Sequence, residues 1–181
     1  MNVLIAYDNR GRAMDALAEA ITEGAREVAS TEVWLRTLDP STSLGLRTAT
    51  YDELAAADAL VLGCPNWSGV TTKLKDWLDV GEDFWEKQLL VGKVGAAFVT
   101  GRSRGSGNEI TLLQLWHVLV ANGMIPVGLP WDDAMRSSSH SYYGLVGVGP
   151  ATEDDLRLAR TLGRRVAEVA RRLNTKELGK P

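Results

Sequence analysis

The chain has 181 residues, enough for one domain with a sizeable core. Its 20 basic and 23 acidic residues give a net charge of −3, which argues against a nucleic-acid-binding surface. Its single cysteine excludes an internal disulfide and indicates a reducing compartment, and no apolar run reaches membrane-spanning length. We therefore expect a cytoplasmic protein with one domain over residues 1–174 and a disordered tail over 175–181, and no interaction with a membrane.

The chain opens with a predicted strand, a polar loop and a helix. Asn2 to Tyr7 is a short apolar run, typical of a central parallel strand. Asp8 to Arg12 has the composition of a turn, and apolar residues then recur at helical spacing from Ala13 to Gly24. The first N–H groups of a helix lack partners and its dipole favours negative charge. This order of elements therefore predicts a binding site for a phosphorylated cofactor.

Apolar runs and helical patterns alternate through the rest of the chain. Further strands are predicted at 32–38, 59–63, 94–100 and 124–129, and helices at 51–57, 70–80, 108–122 and 153–174. Pro126 cannot donate a hydrogen bond to a neighbouring strand, so the last predicted strand should lie at a sheet edge. The stretch 131–150, rich in Ser, Gly and Tyr, is predicted to be a long loop.

This alternation predicts an α/β fold with a doubly wound, five-stranded parallel sheet and helices on both faces. The expected strand order is the flavodoxin-like 2-1-3-4-5. In that order, ligands bind beyond the carboxyl ends of the strands, at the switch point between strands one and three. The rule selects the loops at 8–12, 64–69 and 101–107.

Several segments resemble one known family. Gly63 to Asp79 (GCPNWSGVTTKLKDWLD) is similar to the flavin loop of the flavodoxin-like NAD(P)H:quinone oxidoreductases of the WrbA type, once described as tryptophan-repressor-binding proteins. Trp85 precedes the Gly92-Lys93 pair at the spacing of that family. The stretch from Thr100 to Met124 resembles the family's glycine-rich loop and long helix, and SYYGLVGVGP (141–150) resembles the segment before its last helix.

The resemblance implies an FMN-dependent oxidoreductase that passes two electrons from NAD(P)H to quinones or similar acceptors. It also implies a homo-oligomer, dimeric or tetrameric, with the flavin near subunit contacts. The FMN phosphate would lie on the loop after the first strand. The isoalloxazine ring would lie against the loops after the third and fourth strands, with Trp85 over it from the same or a neighbouring subunit. The implied cofactor-binding residues are Asn9, Arg10, Gly11, Arg12, Ala13, Pro65, Asn66, Trp67, Ser68, Gly69, Trp85, Thr100, Gly101, Arg102, Ser103 and Gly105.

The phosphate loop departs from the family pattern. The family has S-x-[TY]-G-[NH]-[TI], where this chain has NRGRAM at 9–14, and Asp8 adds a like charge beside the phosphate. We expect Arg10 or Arg12 to replace the missing hydroxyls, because a guanidinium forms paired hydrogen bonds with phosphate. The alternative is that both are solvated loop cations. A second departure lies at Ala121, where the family has a flavin-facing His.

One further side chain is a candidate for catalysis. His140 lies in the predicted long loop and could donate a proton to a quinone oxygen. Cys64 follows a buried strand and is interpreted as a small core residue. No cluster of His, Cys and carboxylates has the spacing of metal ligands. Flavin chemistry needs few catalytic side chains, because the cofactor itself accepts the hydride.

Two other functions stay open at this point. One is a flavodoxin-type one-electron carrier, although the loops at 101–107 and 131–150 favour a substrate pocket over a bare carrier surface. The other is an interaction module that has lost FMN, which the altered loop at 8–13 leaves possible. One-electron reduced flavin would accumulate on titration of a carrier, and no flavin would bind to the interaction module.

Overall fold

A parallel sheet forms the centre of the molecule in a computed structural model that describes residues 1–10, 13–38, 45–79, 82–131, 135 and 140–174. The predicted tail at 175–181 lies outside these ranges. The strands are β1 (Asn2–Tyr7), β2 (Glu32–Thr37), β3 (Ala59–Pro65), β4 (Val94–Gly101), β5 (Ile125–Pro126) and β6 (Leu145–Val148). The helices are α1 (Met14–Arg26), α2 (Tyr51–Ala56), α3 (Thr72–Asp79), α4 (Glu82–Glu86), α5 (Asn108–Ala121) and α6 (Glu153–Asn174).

The sheet confirms the predicted order 2-1-3-4-5, and two short strands share the fifth position. β2, β1, β3 and β4 pair in parallel, in that order. β5 pairs with the first residues of β4, where Val94 faces Ile125. β6 pairs with the last residues of β4, from Phe98 opposite Leu145 to Gly101 opposite Val148. The edge position predicted from Pro126 is confirmed.

The split of the fifth strand corrects two boundaries predicted from the sequence. The predicted strand at 124–129 is only two residues long. Ile125 and Val127 donate their N–H groups to Lys93 and Gly95 of the neighbouring chain, so Pro126 stands where its missing N–H would face the open edge. The predicted loop at 131–150 contains β6. The returning chain lies very close to β4, and an added Cβ at Gly144 would lie 2.2 Å from the carbonyl oxygen of Ala97. Only glycine permits that approach.

Two apolar layers cover the sheet. On one face, α1 and α6 pack against Val3, Ile5 and Tyr7 of β1. On the other face, α2, α3 and α5 form a second core with Leu4 and Ala6. Every residue of β3 is buried, as expected for a parallel strand covered on both faces. Within the described ranges, no helix combines the length and apolarity needed to cross a bilayer.

Helices α1 and α6 approach each other closely through two glycines. A Cβ added at Gly24 would lie 1.9 Å from the carbonyl oxygen of Arg160, and one at Gly163 would lie 1.9 Å from the carbonyl oxygen of Ile21. The two backbones are therefore in direct contact, and any side chain at either glycine would push the helices apart.

Gly163→Ala should lower the free energy of unfolding by about 1–3 kcal/mol, because the new methyl group overpacks this crossing. Urea denaturation measures the change. Gly105→Ala is a matched control, since an added Cβ there meets nothing within 4 Å, and it should leave the midpoint almost unchanged. Equal midpoints for the two variants would contradict the proposed backbone contact.

Candidate functional site

A cavity of about 420 Å³ lies at the edge of the sheet where the carboxyl ends of β1, β3, β4 and β6 meet. This is the switch point at which a doubly wound sheet binds ligands, and the volume suits a small organic molecule. Among the described lining residues, two are cationic and none is acidic. The lining residues are Arg10, Pro65, Asn66, Trp67, Thr100, Gly101, Arg102 and Gly149.

A tight turn after β3 presents Trp67 to this cavity. The Asn66 N–H donates to the carbonyl oxygen of Thr100 (2.7 Å), and the Asn66 side-chain oxygen accepts the N–H of Gly69 (3.1 Å). Ser68 and Gly69 have φ values of 64° and 121°, in the left-handed region. The Asn66 amide is thus committed to the turn, and Trp67 projects from it with 56% of its surface exposed.

The loop after β4 is held against the same turn by one asparagine at the start of α5. Asn108 accepts a hydrogen bond from the Asn66 side chain (3.1 Å) and donates to the carbonyl oxygen of Ser103 (2.9 Å). Its side-chain oxygen lies 2.1 Å from where a Cβ of Gly101 would be, so only glycine fits there. The cavity is therefore lined by Thr100, Gly101 and Arg102. Ser103 instead stabilises the loop by accepting the hydrogen bond from Asn108.

The loop after β1 is organised by an ion pair between a buried carboxylate and a partly exposed guanidinium. Asp8 has no exposed surface, and its two oxygens accept hydrogen bonds from Arg10 Nε (2.8 and 3.1 Å) and Nη2 (2.5 Å). The hydroxyl of Thr71 donates to the same carboxylate (2.7 Å). The Arg10 guanidinium also lies over the Trp67 ring, 4.6 Å from its centroid. Arg10 thus joins the loops after β1 and β3.

Asp8 is ionised in this environment. Burial on its own raises the pKa of Asp8, but hydrogen bonds from Arg10 and Thr71 outweigh burial and hold that pKa below its usual range. A phosphate bound by Arg10 in place of a hydroxyl would therefore compete with Asp8 for the guanidinium. That guanidinium already has a carboxylate partner inside the protein.

The predicted phosphate end has two features that suit a polar ligand. The side-chain oxygen of Asn9 is buried and has no hydrogen-bond partner within the described part of the chain. Ala13 precedes α1 without a side-chain cap, which leaves the first N–H groups of the helix to other partners. The N–H groups at the start of α1 fit the phosphate of FMN, whereas the Asn9 oxygen is an acceptor and would pair with a hydroxyl or N–H donor of a ligand. The predicted contacts Gly11 and Arg12 lie outside the described residues.

His140 does not lie in the cavity, and both of its ring nitrogens are used inside the fold. Its side chain is 2% exposed; Nε2 bonds to Asp155 at 2.9 Å, and Nδ1 accepts the N–H of Val146 at 3.1 Å. The imidazole therefore ties the start of α6 to β6. His140 lies in a loop, as predicted, with its imidazole bonded to Asp155 and Val146, and its proton-donating role stays a prediction.

Trp85 is also away from the cavity of its own chain. Its indole N–H donates to the carbonyl oxygen of Ala121, at the far end of α5, and the side chain is 66% exposed.

Gly149 lines the cavity just after β6 and was missed in the sequence analysis. The apolar run LVGV at 145–148 was the available signal for that strand. Ser68, Gly69 and Gly105 belong to the predicted loops without lining the cavity.

Protonation of His140 should destabilise the fold. Burial lowers the pKa of His140, and this effect outweighs the opposing attraction of Asp155, while the Arg104 charge lowers it further. The unfolded chain binds a proton near pH 6.5, but the folded chain does so only at lower pH. The unfolded state therefore holds more protons below about pH 6.5, and stability should fall as the pH drops through this window.

The urea midpoint measured between pH 7.5 and 5 checks this expectation. His140→Asn should flatten the pH dependence over that range. His140→Gln is a second neutral variant and should show the same flattened profile. A His140→Asn profile parallel to that of the wild type would contradict a buried, neutral imidazole.

Known proteins of the same architecture were found by sequence and by structure. The family model for NADPH-dependent FMN reductase matches residues 2–131. The NAD(P)H dehydrogenase (quinone) of Geobacter sulfurreducens is 34% identical over 202 residues, covering 96% of this chain and 100% of the relative. The enzyme of the same name from Archaeoglobus fulgidus is 41% identical over 126 residues, covering 69% of this chain and 65% of the relative.

Solved structures with a similar fold include a WrbA-like protein and a flavodoxin. The flavodoxin, WrbA-like protein from Agrobacterium tumefaciens has a TM-score of 0.74 and 25% identity, covering 96% of this chain and 99% of that one. Oxidised Flavodoxin 1 from Bacillus cereus has a TM-score of 0.68 at 16% identity, covering 93% of this chain and 98% of that one, and it supports the fold alone. With a family model matched over most of its length, this chain belongs to the NADPH-dependent FMN reductase family.

Proposed function

We propose that this protein is an FMN-dependent oxidoreductase that transfers two electrons from NAD(P)H to quinones or similar acceptors. The observation that carries the proposal is the cavity at the switch point, lined by Trp67 and by the guanidinium groups of Arg10 and Arg102. The names of the relatives, NAD(P)H dehydrogenase (quinone), support the same reaction. A nicotinamide reductant and a single buried cysteine, Cys64, also support a cytoplasmic location.

FMN, when bound, supplies the hydride-accepting and electron-transferring chemistry. The chain's own residues bind and orient the flavin. The Trp67 ring offers an aromatic face, and the backbones around Pro65 and Thr100 offer polar groups for the edge of a planar ligand. The positive charge of Arg102 favours the negative charge that a ligand gains when it accepts electrons, whereas the charge of Arg10 is balanced by Asp8.

Trp67→Ala should weaken FMN binding about tenfold, because a stacking surface worth about 1–1.5 kcal/mol is lost. Quenching of flavin fluorescence measures the affinity, and oxidation of NAD(P)H by a benzoquinone measures turnover. Trp131→Ala is the matched control, since Trp131 is also 56% exposed but does not line the cavity. Its affinity should equal that of the wild type.

Three outcomes would contradict the proposal. Absence of FMN binding to the wild type would favour an interaction module. Accumulation of one-electron reduced flavin, without quinone turnover, would favour a carrier. Equal FMN affinity in the Trp67→Ala variant and the wild type would exclude the assigned cavity.

We further propose that the protein is a homo-oligomer in which α5 faces a second copy of the chain. The inner face of α5 is buried through Leu112, Leu115 and Leu119, yet its outer face is also apolar. Ile110 and Val120 expose 63% and 58% of their surfaces on that face, beside exposed Leu113. An exposed apolar stripe of this kind, which here also contains His117, is typical of a subunit interface.

The position of Trp85 supports this arrangement. α5 has 14 residues and therefore spans about 21 Å, with the loop that lines the cavity at its first end and Trp85 at its last. Trp85 thus lies too far from the cavity of its own chain. Antiparallel pairing of two α5 helices across a two-fold axis would bring Trp85 of one subunit toward the cavity of the other.

Replacing Leu113 and Val120 together by Asp should yield a monomer, because two charges cannot be buried in an apolar interface. Light scattering after size-exclusion chromatography measures the mass. Leu173→Asp is the control, because Leu173 is 38% exposed on α6, away from this face, and the variant should keep the wild-type mass. A monomeric wild type, or a doubly substituted chain that keeps the wild-type mass, would contradict the interface.

A further inference from the structure

A fixed negative charge lies at the phosphate end of the candidate flavin site. Asp8 directly follows β1, has no exposed surface, and is next in sequence to Asn9, whose side-chain oxygen has no partner in the described part of the chain. The same loop leads to the uncapped start of α1. Among the described residues, the donors best placed to attract a phosphate are the first N–H groups of α1, and they share this loop with a carboxylate that cannot turn away into water.

Asp8 also takes up the donors that a phosphate would use. The Nε and Nη2 groups of Arg10 donate to it at 2.8 and 2.5 Å, and the Thr71 hydroxyl donates at 2.7 Å. Stacking on Trp67 further restricts the guanidinium. A charge-assisted, paired hydrogen bond of this kind is among the strongest that a protein forms, so an incoming phosphate has to compete with it.

The charges of Asp8 and Arg10 cancel. Although Arg10 lines the cavity, it and its partner together contribute no net charge to the field that a phosphate meets. Without Asp8, the same guanidinium would present a full positive charge to an anion. Asp8 therefore weakens the attraction for phosphate both by direct repulsion and by neutralising Arg10.

We propose that Asp8 determines the flavin selectivity of this site by suppressing the contribution of the terminal phosphate, so that FMN and unphosphorylated riboflavin bind with affinities within about tenfold of each other. This inference rests on the proposed flavin-binding function. The isoalloxazine end, with Trp67 and the loops after β3 and β4, then supplies most of the binding energy. Flavin is held as an exchangeable ligand.

Titration of the wild type and Asp8→Asn with FMN and with riboflavin, followed by flavin fluorescence, tests the proposal. Asp8→Asn should bind FMN about tenfold more tightly or better, because one unit of nearby negative charge is removed. Its riboflavin affinity should stay within about twofold of the wild-type value. Asp58→Asn is the matched control: Asp58 accepts a backbone N–H from Asn2 at the opposite end of the sheet, and neither affinity should change.

The outcomes separate this inference from the proposed function. FMN binding more than about a hundredfold tighter than riboflavin binding in the wild type would overturn the selectivity, as would an unchanged ratio in Asp8→Asn. Failure of both flavins to bind the wild type would overturn the proposed function and the inference with it. Because Asp8 is buried, Asp8→Ser provides a second neutral variant; whichever variant keeps the wild-type circular dichroism should show the same gain for FMN alone.

Discussion

Parallel pairing of β1, β3 and β4 is the constraint on which the site depends. Since all three strands run in one direction, their carboxyl ends lie at one edge of the sheet, and the loops that follow them meet there. Those loops carry the chemistry, while the strands themselves are almost entirely apolar. The Asp8–Arg10 pair and the Asn66–Asn108 hydrogen bond then fix the loops relative to one another.

Two kinds of polar contact can be distinguished within this edge. Asn66 and Asn108 bond to each other and to neighbouring backbone groups, so they define the shape of the cavity. Arg10 and Trp67 form part of the cavity wall itself, and one stacks on the other. Substitutions of the asparagines should therefore act on loop geometry, and substitutions of the stacked pair on what the cavity accepts.

The sequence was sufficient to predict the strand order and the three loops of the site, because buried parallel strands read as short apolar runs bounded by polar turns. It was not sufficient for the split fifth strand. Its second half, LVGV, is apolar but only four residues long, and it follows a Ser- and Tyr-rich stretch, so the sequence pattern there favours a loop. Partners distant in sequence were also missed: His140 and Asp155 are 15 residues apart, and Asp8 and Thr71 are 63 apart.

The split of the fifth strand also bears on how this architecture can diversify. β5 and β6 bond to opposite ends of β4, so both ends of the intervening chain are anchored on the same strand. Insertions or deletions between these anchors would leave the pairing of the other strands intact. The excursion returns through β6 to Gly149 at the cavity wall. The residue that reaches the cavity wall, Gly149, follows β6, whereas Val127 and Leu129 of the intervening chain are buried in the core. The carboxyl end of β6 is therefore the place where evolution, or a protein engineer, could alter the wall of the cavity while conserving the remainder of the scaffold.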